Sequence, residues 1–212
     1  MAQFNFAQND ASDTLYVVMS GISGGKDESF VQYLFNAFKE RASVVSIQFA
    51  NDPLYHNNAL PDMNAMSIED YFTGIDKAIK IGSQKRQHSH IILVAHSFSA
   101  VIAAYYLNER KDTLSSSQYA LITIDNDDSA AALTYVDSLG EDARKDKFQN
   151  PFSQSTTAYM RAHKSADVLV ALTVPKFHID ADEVGGDHEF TSDESKHLLV
   201  EKILAWQPSL CH

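Results

Sequence analysis

The hydrophobic positions of the chain fall into short continuous runs and longer stretches with helical spacing. Four runs, rich in β-branched residues, cover 15–19, 44–49, 119–125 and a segment that begins at about residue 90. Apolar residues recur at three- and four-residue intervals over 30–41, from 67 to about 81, from the end of the run near residue 90 to about 111, and over 192–206. Because continuous apolar strands are buried on both faces, their alternation with helices predicts an α/β protein. Its sheet should be mostly parallel and covered by helices on both faces.

Two parts of the chain have a less regular pattern. Residues 127–165 are polar with weaker periodicity, which predicts one or two helices that lie over the sheet as a short lid. Residues 168–172 form an apolar run that could end a helix or form a strand, and 176–179 alternate as a strand does. Ser67 and Asp70 resemble a capping box at the start of the second helix.

Composition narrows the class of protein. The chain has 212 residues, 44% of them hydrophobic, which is enough for one sizeable core, so we expect a single domain over 1–212. The formal net charge of -11 argues against non-specific binding to nucleic acid or an anionic membrane. A single cysteine, Cys211, allows no disulfide within the chain, and the first residues carry no signal-peptide pattern. No apolar run approaches membrane-spanning length, and we expect a cytoplasmic protein.

Candidate chemistry begins where the run near residue 90 ends in Ala95, His96, Ser97, Phe98 and Ser99. Small residues stand two positions before and two positions after Ser97. At a nucleophile elbow, the sharp strand–turn–helix corner that holds a serine hydroxyl above the sheet, the two backbones nearly touch and larger side chains would collide. The pattern predicts Ser97 as a nucleophile. The alternative is an ordinary buried junction between a strand and a helix.

A nucleophilic serine needs a general base and a carboxylate that orients the base. His188 lies in a glycine-containing turn directly before the closing helix, from which it can reach the carboxyl edge of the sheet, so we predict it as the base. Asp125 ends the strand after the elbow helix and is the first candidate for the acid. Asp180 and Asp182, which follow the 176–179 strand, remain alternatives.

Acyl transfer also requires backbone N–H groups that stabilise the developing oxyanion. The Phe98 N–H directly follows the serine, and the turn after the first strand, which contains Gly21, Gly24 and Gly25, offers the Ile22 N–H. A phosphate-binding loop is the alternative for this turn, but the Walker spacing is absent. No zinc-type ligand spacing is present, so we expect neither a metal nor a cofactor.

These motifs together resemble the thioesterase domains of polyketide and non-ribosomal peptide synthesis and their stand-alone relatives, which have the α/β-hydrolase fold. Residues 95–99 resemble that family's Gly-His-Ser-Phe-Gly, 121–125 resemble the strand whose terminal aspartate is the acid, and 186–190 resemble its closing Gly-Asp-His segment. The resemblance runs over most of the chain. The chain differs from the family at Ser20, where proline is common, and at Ser99, where glycine is usual.

The resemblance implies Ser97 as the nucleophile, Asp125 as the acid and His188 as the base, with Ile22 and Phe98 as backbone oxyanion donors. The implied activity is hydrolysis or cyclisation of an acyl group through an acyl-serine intermediate. The acyl group would arrive as a thioester on the phosphopantetheine arm of an acyl-carrier protein, and no cofactor would be needed. One alternative is a carboxylesterase or lipase that cleaves oxygen esters with the same residues. Another is a hydrolase-fold binding protein with little or no activity.

A carrier-protein partner raises a question of charge, because carrier domains are generally acidic and so is this chain. Docking would need a local basic patch, for which 85–86 and 161–164 are the short candidates. We expect neither nucleic acid nor a membrane as a partner.

The polar segment 127–165, which we call the lid segment, lies between the predicted acid and the predicted base. Insertions over the site in this fold usually occur there, and an acyl chain needs an apolar cleft. We therefore expect the lid segment to cover Ser97 and to supply wall residues of the acyl pocket, among them Phe148, Phe152 and Tyr159. The alternative is that these residues only pack a surface helix onto the core.

Overall fold

The structure is a computed structural model that describes residues 2–21, 24–49, 66–114, 118–126, 128–145 and 150–206. Its sheet contains six strands: β1 (Gln3–Ala7), β2 (Thr14–Met19), β3 (Ser43–Gln48), β4 (His90–His96), β5 (Tyr119–Ile124) and β6 (Lys176–Ile179). Their order in the sheet is β1-β3-β2-β4-β5-β6. β1 runs antiparallel to β3, and every other neighbouring pair is parallel.

Helices cover both faces of this sheet. They are α1 (Ser29–Lys39), α2 (Ile68–Gly82), α3 (Phe98–Arg110), α4 (Ser129–Ser138), α5 (Glu141–Lys145), α6 (Gln154–Ala162), α7 (Ser165–Ala171) and α8 (Asp193–Trp206). One apolar cluster joins the sheet to α2, α3 and the α4–α7 region, and the other joins its opposite face to α1 and α8. The predicted α/β architecture, with a mostly parallel sheet between two helical layers, is confirmed.

The strand β2 illustrates why the apolar runs were continuous. Leu15, Val17 and Met19 face the α2 and α3 layer, whereas Tyr16 and Val18 face α1 and α8. All five side chains are almost completely buried. Because successive side chains of a strand point to opposite faces, a strand buried on both sides is mostly apolar without alternation.

The lid segment contains more helix than the sequence predicted. The sequence predicted one or two helices there, and the structure has α4, α5 and α6. The run at 168–172, which the sequence left ambiguous, belongs to α7 and its C-terminal cap. The Thr156 hydroxyl donates to the carbonyl of Met66 before α2, at 3.1 Å, and the Tyr105 hydroxyl of α3 donates to the carbonyl of His163. The described part of the segment therefore lies on the sheet face that carries α2 and α3.

Asp128 fixes the start of α4 and joins it to α7. Its carboxylate accepts from the Ala130 N–H at 3.0 Å and from the Ser165 hydroxyl at 2.8 Å, while Ser129 and Ser165 exchange two hydrogen bonds between backbone N–H and hydroxyl groups. The N–H bond from Ala130, with the serine hydroxyl bonds, lowers the pKa of Asp128. The carboxylate is thus a cap for one helix and an anchor for another.

We expect Asp128→Ala to lower the free energy of unfolding by about 1 to 2 kcal/mol at neutral pH, the usual cost of losing a helix N-cap. Because the folded pKa is depressed, this stabilisation is present above the ordinary pKa of an aspartate and is lost as the pH falls through the folded value. Urea unfolding at pH 7 and at stepwise lower pH measures both effects, with exposed Asp142→Ala as the control. A difference between wild type and variant that grows as the pH falls would contradict the assignment.

Candidate active site

The predicted site residues lie at one edge of the sheet. Ser97 directly follows β4, Asp125 directly follows β5, and His188 lies in the loop between β6 and α8. β4, β5 and β6 are neighbours and run parallel, so their carboxyl ends meet at the same edge. In open α/β sheets this edge is where ligands bind.

Ser97 occupies a strained corner between β4 and α3. Its backbone has φ 54° and ψ -132°, a region that residues with a Cβ rarely adopt. The Ser97 N–H donates to the carbonyl of Ile124 in β5 at 3.0 Å, which holds the corner against the neighbouring strand. Ala95 and Ser99 are both buried, so the closely packed elbow accommodates an alanine and a serine at these two positions.

His188 connects Ser97 to Asp125 by two hydrogen bonds. Its Nε2 lies 3.1 Å from the Ser97 hydroxyl oxygen, and its Nδ1 is hydrogen-bonded to Oδ2 of Asp125. An ionised carboxylate can only accept, so Nδ1 carries the proton and Nε2 is left to accept from the serine hydroxyl. The other carboxylate oxygen of Asp125 accepts from the Ala181 N–H at 3.3 Å, which fixes the orientation of the carboxylate.

The electrostatic balance keeps Asp125 charged. Burial by itself would raise the pKa of Asp125. The hydrogen bond from His188, the bond from the Ala181 N–H and the charges of His188 and His96 outweigh burial, and the pKa lies below its usual range. An ionised Asp125 stabilises the imidazolium that forms if His188 takes a proton.

The loop that carries His188 is held from both sides of the residue. Nε2 of His96 donates to the backbone carbonyl of His188 at 2.8 Å, and the two imidazole rings lie 4.8 Å apart. Phe190 is completely buried with φ 48°, and its ring stacks on Phe30 at 4.9 Å. His96, the strand residue before the serine, thus positions His188. No local pattern signals this role, because the two residues lie 92 positions apart.

Of the two candidate oxyanion donors, the structure describes Phe98 and not Ile22. Phe98 is the first residue of α3, where backbone N–H groups have no acceptor within the helix and the helix dipole favours negative charge. A Cβ added to Gly21 would lie 3.2 Å from Cβ of Ser97, so the turn after β2 approaches the serine closely. Ile22 lies outside the described residues, and its role as the second donor stays a prediction.

The predicted pocket residues Phe152 and Tyr159 lie in different places relative to Ser97. Phe152 is buried with its ring 4.7 Å from that of Phe98, next to Ser97. The Tyr159 ring instead packs on Tyr105, two helical turns beyond Phe98, at 5.0 Å. Phe148 lies outside the described residues. The lid segment also lines an open cavity of about 350 Å³, formed by Val136, Glu141, Asn150, Gln154, Thr157, Ala158 and Arg161.

The alternative acids are placed differently from Asp125. Asp180 accepts from Nε2 of His178 at 2.8 Å, and Nδ1 of His178 is 2.8 Å from the Thr123 hydroxyl oxygen. Asp182 lies in the short 3-10 helix Ala181–Val184. The described hydrogen bonds of Asp180 therefore lead to a second histidine rather than to His188.

The described ranges contain neither a metal site nor a membrane-spanning helix. No group of three or more histidine, cysteine, aspartate or glutamate side chains there could hold a metal ion. Within the same ranges, every helix is too short or too polar to cross a membrane.

Comparison with known proteins identifies the fold. No protein-family model matches the sequence, and no curated protein is significantly similar to it. Solved structures do match. Est1E from Butyrivibrio proteoclasticus, with ferulic acid bound, has a TM-score of 0.64 at 12% identity, covering 99% of this chain and 95% of its own. The mouse alpha/beta hydrolase domain-containing protein 10 has a TM-score of 0.62 at 11% identity, with 99% and 94% covered.

A third similar structure is a variant of AqdC, described with its substrate, the Pseudomonas quinolone signal, in a study of recognition and ring cleavage. Its TM-score is 0.66 at 11% identity, and the match covers 96% of this chain and 94% of that protein. The names of the three proteins do not share one activity, and at these identities the likeness is one of architecture. Together with the sheet order and the helices on both faces, it establishes that the chain has the α/β-hydrolase fold.

Proposed function

We propose that the protein is a serine hydrolase of the thioesterase type, which cleaves or cyclises an acyl group through an acyl-serine at Ser97. The observation that carries this proposal is the continuous hydrogen-bonded chain from the Ser97 hydroxyl through His188 to Asp125. Structures of similar fold, which include a mouse alpha/beta hydrolase domain-containing protein, support hydrolysis as the class of reaction.

The proposed reaction uses each member of the chain once in each half. Oγ of Ser97 attacks the carbonyl carbon while Nε2 of His188 takes the hydroxyl proton, and Asp125 stabilises the resulting imidazolium. The tetrahedral intermediate collapses, the thiolate leaves, and the proton on His188 passes to it. Water, or an internal nucleophile of the acyl chain, then attacks the acyl-serine with His188 again as the base.

The proposed substrate is the acyl thioester of a carrier protein, a proposal that rests on the resemblance of the 95–99, 121–125 and 186–190 segments to synthase thioesterases. Hydrolysis of soluble oxygen esters is the second candidate, and one specific observation favours it. The arginines of both candidate docking patches are held in ion pairs, Arg86 with Asp13 and Arg161 with Asp137. On a chain with a net charge of -11, these pairs reduce the positive charge that could attract an acidic carrier.

One acyl group presented in three forms tests the choice. We expect kcat/KM for the pantetheine thioester to exceed that for the matched oxygen ester by at least about tenfold, since selectivity arises from differential transition-state binding. The same acyl group on an acyl-carrier protein should lower KM further without changing kcat. Asp13→Asn and Asp137→Asn, which release the two arginines, should strengthen the carrier's effect and leave the pantetheine thioester unaffected.

Three outcomes would alter the proposal in distinct ways. A preference for the oxygen ester would favour the carboxylesterase. A thioester preference with no gain from the carrier would remove the carrier protein as partner while keeping the chemistry. A wild-type protein that hydrolyses none of the three and resists a fluorophosphonate probe would favour a binding protein with the hydrolase fold.

A further inference from the structure

A chain of side-chain hydrogen bonds runs beside the elbow and outside the Ser97–His188–Asp125 connection. The hydroxyl of Ser99, in the first turn of α3, donates to the backbone carbonyl of Ser20. The hydroxyl of Ser20 donates in turn to Oε2 of Glu28. These contacts join residues 79 and eight positions apart in sequence, and they tie the end of β2 to the helices on both faces of the sheet.

Glu28 is an unusual residue for its position. It is the N-cap of α1, yet its side chain accepts no capping hydrogen bond from that helix. The carboxyl group instead turns toward Ser20, is half-buried, and lies close enough to His188 and Glu189 to sense their charges. Burial raises the pKa of Glu28. The Glu28 side chain is thus partly withdrawn from water and does not cap α1, and its carboxyl group bonds to the turn instead.

The backbone of the turn is packed against both partners. An added Cβ at Gly24 would lie 1.9 Å from Oγ of Ser20 and 2.1 Å from Oε2 of Glu28, distances that no real side chain could adopt. An added Cβ at Gly21 would lie 3.2 Å from Cβ of Ser97. Gly24 therefore lies against the Ser20–Glu28 pair, and Gly21 lies against the nucleophile.

We propose that Glu28 is a positioning residue that, through Ser20 and together with Ser99, fixes the backbone at Ser20 and Gly21 against Ser97. This inference rests on the proposed function of Ser97. In this fold the turn after the strand that precedes α1 supplies part of the oxyanion hole, and displacement by about 1 Å can cost a factor of about 100 in rate. Glu28 acts at a distance, by limiting how far that backbone can move when charge develops on the substrate oxygen.

The test compares Glu28→Ala with Glu28→Gln, Ser20→Ala and the double variant, with exposed Glu201→Ala in α8 as the matched control. We expect Glu28→Ala to lower kcat by about 10- to 100-fold with KM within about twofold, because substrate binding does not depend on the turn's exact position. Glu28→Gln keeps an acceptor for the Ser20 hydroxyl and should retain activity within about threefold. The double variant should be no worse than either single variant, since both remove the same contact.

Second-order labelling of Ser97 by a fluorophosphonate provides a readout that needs no identified substrate, and thermal unfolding checks that each variant is folded. Labelling of Glu28→Ala should slow in parallel with kcat. Equal labelling and kcat for wild type and Glu28→Ala would overturn the inference alone, as would a Gln variant as impaired as the Ala variant or losses that multiply in the double variant. A wild type that is not labelled would overturn the proposed function of Ser97, and the inference with it.

Discussion

Replacing Ser97 with alanine should abolish hydrolysis while leaving the fold intact. We expect kcat to fall by about 10⁴- to 10⁶-fold, the range found when a serine nucleophile that acts as one unit with its base is removed. Alanine retains the Cβ, so the strained backbone at φ 54° is unchanged. The variant loses the hydrogen bond between the serine hydroxyl and Nε2 of His188, and should lose no more than about 1.5 kcal/mol of stability.

The matched control for this variant is Ser46→Ala. Ser46 is a completely buried serine in β3, and its hydroxyl has no hydrogen-bond partner among the described residues. Removal of that hydroxyl should leave kcat unchanged and preserve or slightly raise the unfolding temperature. Steady-state kinetics, fluorophosphonate labelling and thermal unfolding of both variants separate loss of the nucleophile from loss of the fold. A folded Ser97→Ala protein that keeps a tenth of the activity would remove Ser97 from the mechanism.

The central strands of the sheet could be predicted from the sequence because they are buried on both faces. β2, β4 and β5 are continuous apolar runs, which leave a strong pattern in a single sequence. The edge strand β1 has no such run. It alternates polar and apolar residues only over its first four positions, pairs with β3 on one side, and exposes Phe6. Its strand conformation depends on pairing with residues 37 to 45 positions away rather than on its own burial.

Residues of the site could be predicted to lie close together where strands position them, and could not where loops do. Ser97 and Asp125 end adjacent parallel strands, so their shared edge follows from the strand pattern alone. The bond between His96 and the His188 carbonyl, and the bond between Ser20 and Glu28, depend on how loops return to that edge. No periodicity specifies a loop path, and short-range patterns at Glu28 indicate only a helix start. The supporting contacts of the site were therefore beyond sequence reasoning, whereas its three central residues were candidates from the start.

Asp125→Asn should produce the second large effect, a fall in kcat of about 10⁴-fold with KM little changed. The carboxylate holds the proton on Nδ1 of His188, and it is the only state of this side chain that accepts with both oxygens. An asparagine that keeps the bond to the Ala181 N–H through its oxygen turns its NH₂ group toward Nδ1. Nδ1 must then accept, the proton moves to Nε2, and Nε2 cannot take the proton of Ser97.

The chain offers a close control for this substitution in the pair formed by His178 and Asp180. The distance from Nε2 of His178 to Oδ1 of Asp180 is 2.8 Å, so Asp180→Asn removes the charge of another histidine-bonded aspartate, one that directly follows β6. That histidine contacts the Thr123 hydroxyl instead of Ser97, and we expect kcat of Asp180→Asn to stay within about threefold of wild type, as for a residue whose loss leaves transition-state binding unchanged. Asp182→Asn should behave in the same way.

The three asparagine variants together decide which aspartate orients the base. We would measure kcat and KM for each variant and verify folding by circular dichroism. A change of the histidine tautomer lowers kcat in a protein that is fully folded, whereas a structural effect lowers the folded fraction. If Asp180→Asn or Asp182→Asn showed the 10⁴-fold loss and Asp125→Asn did not, the acid would follow β6 rather than β5. The hydrogen bond between Asp125 and His188 would then serve only to hold the loop. The lowered pKa of Asp125 instead favours Asp125 as the acid, since a carboxylate that stays ionised well below neutral pH is the partner an imidazolium requires.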